Sequence, residues 1–305
     1  MPATVIDGNA LAAELSERVG HDLEQLKVSG SVPGLATILV GDDPAAGTYE
    51  RHVRRLADRL GCRYVNERLG ADAEVADVLA VVGKLNADPR VTGILVLRPM
   101  PEGIAEPPVY RALDPSKDVE AVHPENAGLL AQGRPRFVPS TPASCYYLLE
   151  AYLRSTDREP DAFFPGKTLV VVGRSDSVGK PAASLGLQRN ATVITCHSRT
   201  GDLAAFTRQA DVLIVAAGVA GLVTGDMVRE GVIAVDVGID PVLDPETGKV
   251  RFVGDLDFES VAAKAEAITP VPGGVGPITD VWLIGNAVSA AAAALRVEPR
   301  FGVTP

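Results

Sequence analysis

Residues 168–181 read TLVVVGRSDSVGKP and join an apolar strand to a glycine-containing turn and the start of a helix. Gly173 allows the tight turn after the strand, and Gly179 allows the helix to approach the strand or a phosphate closely. The free N–H groups at the N-terminus of such a helix suit an anion. Because the spacing differs from G-x-G-x-x-G, the stretch indicates a nucleotide-binding turn but leaves an ordinary strand–helix turn open.

Three more apolar strands follow this turn and predict a parallel sheet. Amphipathic stretches link three of the four strands, which is the pattern of a nucleotide-binding α/β domain. The three strands read ATVITC (191–196), DVLIVAAG (211–218) and GVIAVDVGI (231–239).

The end of the second strand bears on which dinucleotide is bound. It reads Cys196-His197-Ser198-Arg199-Thr200, with no carboxylate before Asp202. A carboxylate there would accept from the ribose 2′-hydroxyl of NAD, whereas an arginine between two hydroxyl side chains would hold a 2′-phosphate. The pattern favours NADP, and the alternative is that Arg199 merely faces solvent.

A second α/β domain is predicted upstream. Its strands alternate with helices at the spacing of parallel pairing, and Tyr49 lies on the first of these helices. The boundary is placed at Pro-Ser-Thr-Pro, 139–142, which gives a catalytic domain of 1–139, completed by a C-terminal helix of 281–305, and a Rossmann-like domain of 140–280. The upstream elements are strands 35–41, 63–69 and 93–99 and helices 44–60 and 74–87, and the segment 269–280 is predicted to be a loop.

Composition limits the class of protein. The 305 residues carry 29 basic and 39 acidic side chains, a net charge of −10, which argues against a nucleic-acid partner. Hydrophobic residues make up 46% of the chain, enough for a large core, and three cysteines form neither a disulfide framework nor a metal site. No secretory signal or membrane span is apparent, so we expect a cytoplasmic protein without a metal.

Long motifs in both halves resemble the methylenetetrahydrofolate dehydrogenase/cyclohydrolase family, over essentially the whole chain. The resemblance implies an N-terminal catalytic domain, a Rossmann-like NADP domain, a C-terminal helix that returns to the first domain, and a homodimer. It also implies a folate substrate. A basic stripe on one helix, formed by Arg51, Arg54, Arg55 and Arg59, is either a solvated face, which is the simpler interpretation, or a site for a polyglutamate tail of that folate. The motifs are PGLATILVGDDPA (33–45), GILVLRPMP (93–101), PSKDVEAVHPENAGLL (115–130), GRSDSVGKP (173–181), ATVITCHSRT (191–200), VDVGID (235–240) and TPVPGGVGPIT (269–279).

The resemblance also implies roles for individual residues. Tyr49 would stack against the aminobenzoate ring of folate, and the loop containing Pro272, Gly273 and Gly274 would border the folate side. The residues implied to contact the cofactor or line its pocket are Thr141, Gly173, Arg174, Ser175, Ser198, Arg199 and Ile239.

The inner catalytic positions depart from the family pattern. The lysine of its Y-x-x-x-K motif is Val53 here, the glutamine of its G-I-L-V-Q-L-P strand is Leu97, and the aspartate of its K-D-V-D-G loop is Glu120. Since Val53 and Leu97 can neither donate nor accept a proton, we expect cyclohydrolase activity to be lost or very weak. Hydride transfer depends mainly on distance and orientation, so dehydrogenase activity is expected to persist, with Tyr49 and Glu120 as the candidate catalytic residues.

Two other interpretations stay open. The pocket could be refitted to a different one-carbon or amine substrate, with Glu120, Arg98, His52 and Arg54 as its polar groups. Alternatively, the protein could be a catalytically silent paralogue that binds NADP or a partner enzyme and has a regulatory role. His52 is more simply a solvated helix residue, and an acid at Asp280 suits the start of the predicted last helix.

Overall fold

The computed structural model describes residues 2–243 and 248–295. These residues form two compact units, one of 14–140 with 280–295 and the other of 2–13 with 141–279. Residues 2–13 therefore belong to the nucleotide-binding unit, whereas the prediction placed all of residues 1–139 in the catalytic domain. The reason is a short strand, β1 (Thr4–Val5), which pairs in parallel with a strand of that unit, β11 (Ala267–Ile268).

The catalytic unit is built on a three-stranded parallel sheet, as the apolar runs predict. The strand order is β3-β2-β4, so the first strand of this sheet is central and the next two pair with it on opposite sides. Ligands in open α/β sheets bind at the carboxyl ends of strands where the order reverses in this way. The strands are β2 (Gly34–Val40), β3 (Arg63–Leu69) and β4 (Gly93–Val96), and the helices are α1 (Gly8–Val28), α2 (Pro44–Leu60), α3 (Val75–Ala87), α4 (Glu106–Ala112) and α5 (Pro124–Ala131).

Helix α2 carries the predicted tyrosine, and local chemistry fixes both of its ends. The Asp43 side chain accepts a hydrogen bond from the Ala46 N–H at 2.8 Å, and Pro44 occupies the first helical position. Gly61 ends the helix with φ 79°, a left-handed conformation that favours glycine. The predicted apolar stripe is the buried face of the helix and includes Val53 and Leu56.

The nucleotide-binding unit contains a six-stranded parallel sheet in the order β1-β11-β8-β7-β5-β6. The order reverses at β5, so the carboxyl ends of β5 and β7 form the expected ligand crevice. The remaining strands are β5 (Thr168–Val172), β6 (Thr192–Cys196), β7 (Val212–Val215) and β8 (Ile233–Asp236), with a separate antiparallel pair β9 (Asp240–Leu243) and β10 (Val250–Val253); the helices are α6 (Ser140–Ser155), α7 (Pro160–Phe163), α8 (Gly179–Gln188), α9 (Leu203–Thr207) and α10 (Phe258–Ala262).

The last helix, α11 (Val275–Leu295), begins at Val275, so the predicted loop of 269–280 is wrong in its second half. Pro277 falls within the first turn, where a helix leaves its N–H groups without intrahelical partners, so the proline is tolerated. Residues 296–305 of the predicted helix lie outside the described residues. The helix is long and apolar enough to cross a membrane, but most of its apolar stretch is buried inside the protein, as in a core helix.

The part of α11 after Asp280 packs on the sheet of the catalytic unit. The Thr92 hydroxyl donates to the Ala287 carbonyl at 2.9 Å. A Cβ on Gly93 would lie 3.0 Å from the Ala287 Cβ, so the glycine permits a close approach of strand and helix. The predicted return of the C-terminal helix to the first domain is confirmed.

Candidate active site

The carboxyl edge of the three-stranded sheet gathers the first group of predicted site residues. Asp118 forms a parallel bridge with Ile94 of β4, so the segment through Glu120 runs alongside that strand. Leu97 follows β4 at the same edge and is 3% exposed. Topology therefore brings the position of the family glutamine and that of the family aspartate to one edge of the sheet.

The buried Asp118 carboxylate shapes the turn that presents Glu120. It accepts from the Val122 N–H at 3.1 Å, from the His123 N–H at 2.8 Å and from the Asn126 side-chain amide at 2.8 Å. Ala121 adopts φ 52°, in the left-handed region where glycine is favoured, which gives a physical reason for the glycine of the family motif. The alanine here keeps a turn conformation that is costly for it.

Glu120 is a carboxyl group that titrates near neutrality. Burial raises its pKa to about 7, while the Ser140 hydrogen bond and the positive charge of Arg98 act in the opposite direction. The Ser140 backbone N–H donates to Glu120 Oε1 at 3.4 Å. Near pH 7 this side chain can therefore accept a hydrogen bond as a carboxylate or donate one as an acid. Arg98 is exposed, and its charge is near enough to affect Glu120.

Tyr49 lies half-buried on α2 and shares this region with Glu120. Burial raises the pKa of Tyr49 well above its usual value, and the negative charges of Asp280 and Glu120 raise it further. The phenol is consequently neutral over the physiological range. One turn later on the same helix, Val53 is fully buried, so the position of the family lysine holds an apolar side chain inside the fold.

Sequence reasoning missed the partners of these residues. Asp280 lies beyond the first turn of α11 rather than at its start, and its carboxylate Oδ2 is 2.9 Å from His52 Nε2. Behind Tyr49, the buried Glu50 accepts from the Tyr64 hydroxyl at 3.0 Å. For Asp280 the available signal was an acidic residue in an otherwise apolar stretch, because a carboxylate there requires a partner. Glu50 lies among charged residues and carried no such signal.

The turn after β5 has the geometry of a phosphate-binding loop. Gly173 has φ 134°, and a Cβ there would lie 2.3 Å from the Ala216 carbonyl oxygen at the end of β7. A Cβ on Gly179 would lie 2.2 Å from the Gly173 carbonyl oxygen, so both positions require glycine. The Ser175 hydroxyl accepts from the N–H groups of Val178 and Gly179 at 3.2 and 3.3 Å and orders the start of α8.

The turn after β6 presents the predicted phosphate ligands to solvent. The His197 N–H donates to the Thr200 hydroxyl at 2.8 Å, and the Arg199 N–H donates to His197 Nδ1 at 3.2 Å. Ser198 and Arg199 are exposed, as is Arg174 in the preceding turn. The guanidinium groups of Arg174 and Arg199 make no ion pair with another described residue. The residues present fit a dinucleotide that carries an additional phosphate.

The remaining predicted residues also lie in the nucleotide-binding unit. Thr141 is half-buried in the first turn of α6, and Ile239 is 61% exposed just after β8. Gly273 accepts from the Gly8 N–H at 2.8 Å, and a Cβ on Gly274 would lie 2.6 Å from the Pro270 carbonyl oxygen. The loop containing Pro272 thus belongs to the unit of the nucleotide-binding sheet, and its predicted role towards folate stays a prediction.

Two buried carboxylates that sequence reasoning missed hold the loops at the end of β7 and β8. Asp255 accepts from the N–H groups of residues 217, 218 and 219, at 2.6, 3.2 and 2.7 Å. Asp236 accepts from the N–H groups of Gly238, Asp255 and Leu256, and burial raises the pKa of Asp236 to about 7. Each carboxylate fixes backbone at the predicted ligand crevice.

Comparison with known proteins decides the family. Residues 6–120 match the family model described as the tetrahydrofolate dehydrogenase/cyclohydrolase catalytic domain, and residues 139–295 match its NAD(P)-binding domain. The chain belongs to the tetrahydrofolate dehydrogenase/cyclohydrolase family. The α/β class and the nucleotide-binding domain predicted from the sequence are thereby confirmed, and the second unit is the family's NAD(P)-binding domain.

Relatives extend over nearly the whole chain. Bifunctional protein FolD 3 of Rubrobacter xylanophilus is 65% identical over 294 residues, which are 95% of this chain and 92% of that protein. The crystal structure of the bifunctional FolD of Campylobacter jejuni is 41% identical, covers 96% of this chain and 99% of its own, and superposes with a TM-score of 0.89. A Trypanosoma brucei family member, solved with NADP and an inhibitor, is 34% identical, covers 97% of this chain and all of its own, and has a TM-score of 0.89.

Proposed function

We propose that this family member is an NADP-dependent methylenetetrahydrofolate dehydrogenase whose cyclohydrolase activity is lost or very weak. The observation that carries the proposal is the combination of polar and apolar groups at the family's catalytic positions. Tyr49 and Glu120 occupy positions from which they interact electrostatically, whereas Val53 and Leu97 are 0% and 3% exposed and wholly apolar.

Tyr49 and Glu120 suit binding of a reduced folate. Tyr49 offers a neutral, half-buried aromatic ring against which the aminobenzoate ring can stack. Glu120 can accept hydrogen bonds from the pterin N–H groups, in the place of the family's aspartate. The negative charge on Glu120 grows as pH rises through about 7, so pterin binding should strengthen over that interval.

The nucleotide-binding unit suits NADP, which supplies the hydride acceptor when bound. Arg174, Ser198 and Arg199 are the exposed groups available to a 2′-phosphate, and the glycines at 173 and 179 leave room for a pyrophosphate at the N-terminus of α8. The bound NADP in the Trypanosoma brucei relative supports this choice over NAD.

Hydrolysis of the methenyl product requires proton transfer that this site does not provide at positions 53 and 97. A positioned acid or base contributes roughly 10²–10⁴-fold to such a step. Because the family's lysine and glutamine are both replaced by apolar side chains, no buried polar group is left without the partner that the other supplied. The fold therefore tolerates the double replacement. Methenyltetrahydrofolate is therefore the proposed released product.

Steady-state kinetics with purified protein test the proposal. The initial rate of reduction of NADP⁺ should depend on methylenetetrahydrofolate, and NAD⁺ should support a much lower kcat/KM. Arg199→Ala should raise KM for NADP⁺ about tenfold while leaving NAD⁺ turnover unchanged, because only NADP carries the 2′-phosphate. No reduction of either dinucleotide, with intact folding, would refute the dehydrogenase assignment.

We also propose a cytoplasmic homodimer that accepts polyglutamylated folate. Support for a dimer comes from the exposed apolar side chains Leu243, Val250 and Phe252 on the β9–β10 pair. Support for a polyglutamate tail comes from four exposed arginines on α2 in an acidic protein, namely Arg51, Arg54, Arg55 and Arg59. Light scattering that compares the molar mass of the wild type with that of Phe252→Ser tests the dimer. Comparison of KM for monoglutamylated and triglutamylated substrate tests the tail.

A further inference from the structure

His52 and Asp280 form a pair between α2 and α11 within the catalytic unit. His52 Nε2 lies 2.9 Å from Asp280 Oδ2, and their side chains are 56% and 14% exposed. The carboxylate therefore lies inside the fold, and the imidazole covers it from the solvent side. His52 Nδ1 makes no hydrogen bond with any residue of the described ranges, so the carboxylate is the ring's one hydrogen-bonding partner there.

The pair lies beside Tyr49. His52 follows Tyr49 by three residues on α2, and residues at that spacing are neighbours on a helix surface. Since Asp280 lies 2.9 Å from His52, the carboxylate is on the Tyr49 side of α2, and its charge raises the pKa of Tyr49. The charged and titratable groups that interact with this carboxylate are His52 and Tyr49 of α2. Glu120 in turn interacts with Tyr49, and Arg98 interacts with Glu120.

Dehydrogenation of the proposed substrate creates a positive charge close to the aminobenzoate ring. The C–H bond of the one-carbon bridge breaks, and hydride leaves with both electrons to reduce the nicotinamide. The bridge is oxidised from a neutral N–CH₂–N unit to an amidinium cation, and no proton is released. One of the two bridge nitrogens is bonded directly to the aminobenzoate ring, which Tyr49 is proposed to contact.

We propose that Asp280, held in place by His52, supplies the negative charge that stabilises this amidinium cation. The inference rests on the proposed dehydrogenase function. A preorganised charge aimed at the place where charge develops lowers the barrier, since it needs no reorganisation during the reaction. The valine at position 53 supports the proposal because the family's lysine would place a positive charge one turn from Tyr49 and oppose the carboxylate.

Binding measurements without NADP test the proposal independently of turnover. Isothermal titration at pH 7.5, corrected for the heat of spontaneous hydrolysis, would compare methenyltetrahydrofolate, the cation, with tetrahydrofolate, which lacks the one-carbon bridge and its positive charge. Asp280→Asn should weaken binding of the cation about tenfold more than binding of the neutral folate. Asp58→Asn removes an exposed acid from α2 and should leave the affinity ratio unchanged.

The pH profile of kcat provides a second test. Burial raises the pKa of Asp280 to about 6, against the opposing charge of His52, so wild-type kcat should fall as pH decreases through about 6. Asp280→Asn should lower kcat about tenfold at pH 7.5 and lose this limb of the profile. His52→Gln keeps a hydrogen-bond donor over the carboxylate but cannot carry a positive charge, so it should move the limb to higher pH. Glu120 titrates in all three proteins, so the differences between profiles report Asp280.

The outcomes separate the two proposals. If wild type turns over and the Asp280→Asn variant keeps the wild-type affinity ratio and pH profile while only its melting temperature changes, the pair is a structural clamp and the inference is overturned. If Asp280→Asn does not fold, the shift in the His52→Gln profile decides, and its absence overturns the inference. If wild type binds neither folate and reduces no NADP⁺, the proposed function itself fails.

Discussion

The side-chain amide of Asn286 donates to the carbonyl of Val119 at 2.8 Å, across 167 positions of sequence. The same amide donates to the Val138 carbonyl at 2.9 Å, and Asn286 is 5% exposed. One buried side chain on α11 thus holds two backbone segments, and in one of them the bonded residue directly precedes Glu120. The placement of the proposed pterin-binding carboxylate depends on the last helix as well as on the sheet.

Replacing this amide should impair both stability and folate binding. Asn286→Ala leaves two buried carbonyl groups without their donor, at a cost of roughly 1–3 kcal/mol each before water enters. We expect a lower melting temperature and a raised KM for methylenetetrahydrofolate, with KM for NADP⁺ unchanged. Asn86→Ala removes a side-chain hydrogen bond to the Ala112 carbonyl in the same unit. This variant should have lower stability but an unchanged KM for methylenetetrahydrofolate. Equal KM values for folate in both variants would contradict this account of the Glu120 turn.

Restoring the family's polar residues should restore hydrolysis. The double variant Val53→Lys with Leu97→Gln returns an ionisable amine and an amide to the two apolar positions, so cyclohydrolase activity should rise by about 10²-fold. Direct loss of methenyltetrahydrofolate, corrected for its spontaneous hydrolysis, measures this. Val53→Lys alone buries a charge without its partner and should mainly destabilise the protein. A wild-type rate already equal to that of the double variant would show that the two residues are not limiting.

The glycine at the start of α8 should be irreplaceable. Gly179→Ala places a Cβ 2.2 Å from the Gly173 carbonyl oxygen, so backbone must move and NADP affinity should fall at least tenfold. Gly83→Ala is the matched control, since a Cβ there has nothing within 4 Å and lies within helix α3. The control should stabilise the protein by roughly 0.5–1 kcal/mol and leave NADP affinity unchanged. Fluorescence titration with NADPH measures the affinity of both variants. A Gly179→Ala protein of normal affinity would contradict the phosphate-loop assignment.

The pH dependence of stability should report the raised pKa of Glu120. Because its pKa in the folded protein is about 7, above the usual value of 4.5, the folded state gains stability from the proton at low pH and loses it as pH rises through about 7. Glu120→Gln should therefore gain stability relative to wild type between pH 5 and pH 8. Thermal unfolding at both pH values tests this, with the exposed Glu102→Gln as control. A constant difference between wild type and Glu120→Gln would rule out the titration.

The sequence predicts the repeating parts of this fold well for a physical reason. Helices such as 44–60 carry a hydrophobic period that reflects their buried face. The structure reproduces this range and that of the predicted strand 63–69. Strands β1 and β11 have two residues each, too few for any period, so the membership of residues 2–13 in the nucleotide-binding unit cannot be predicted in that way. The start of α11 is obscured because glycine and proline in its first turn resemble a loop.

The site residues that can be predicted from the sequence are those that form local patterns. Gly173 and Gly179 are recognisable because their spacing around one turn is local, and Tyr49 with position 53 is a local helical pair. The contacts of Asp280 with His52 and of Asn286 with Val119 join residues far apart in sequence. Only the folded chain shows that these groups meet.

The central claim is a dehydrogenase that releases methenyltetrahydrofolate without hydrolysing it. The most direct measurement follows NADPH and methenyltetrahydrofolate together after mixing purified protein with NADP⁺ and methylenetetrahydrofolate. We predict that the two products rise in equal amounts and that methenyltetrahydrofolate then decays only at its spontaneous rate. Accumulation of NADPH with little methenyltetrahydrofolate, and decay that accelerates with protein concentration, would contradict the claim.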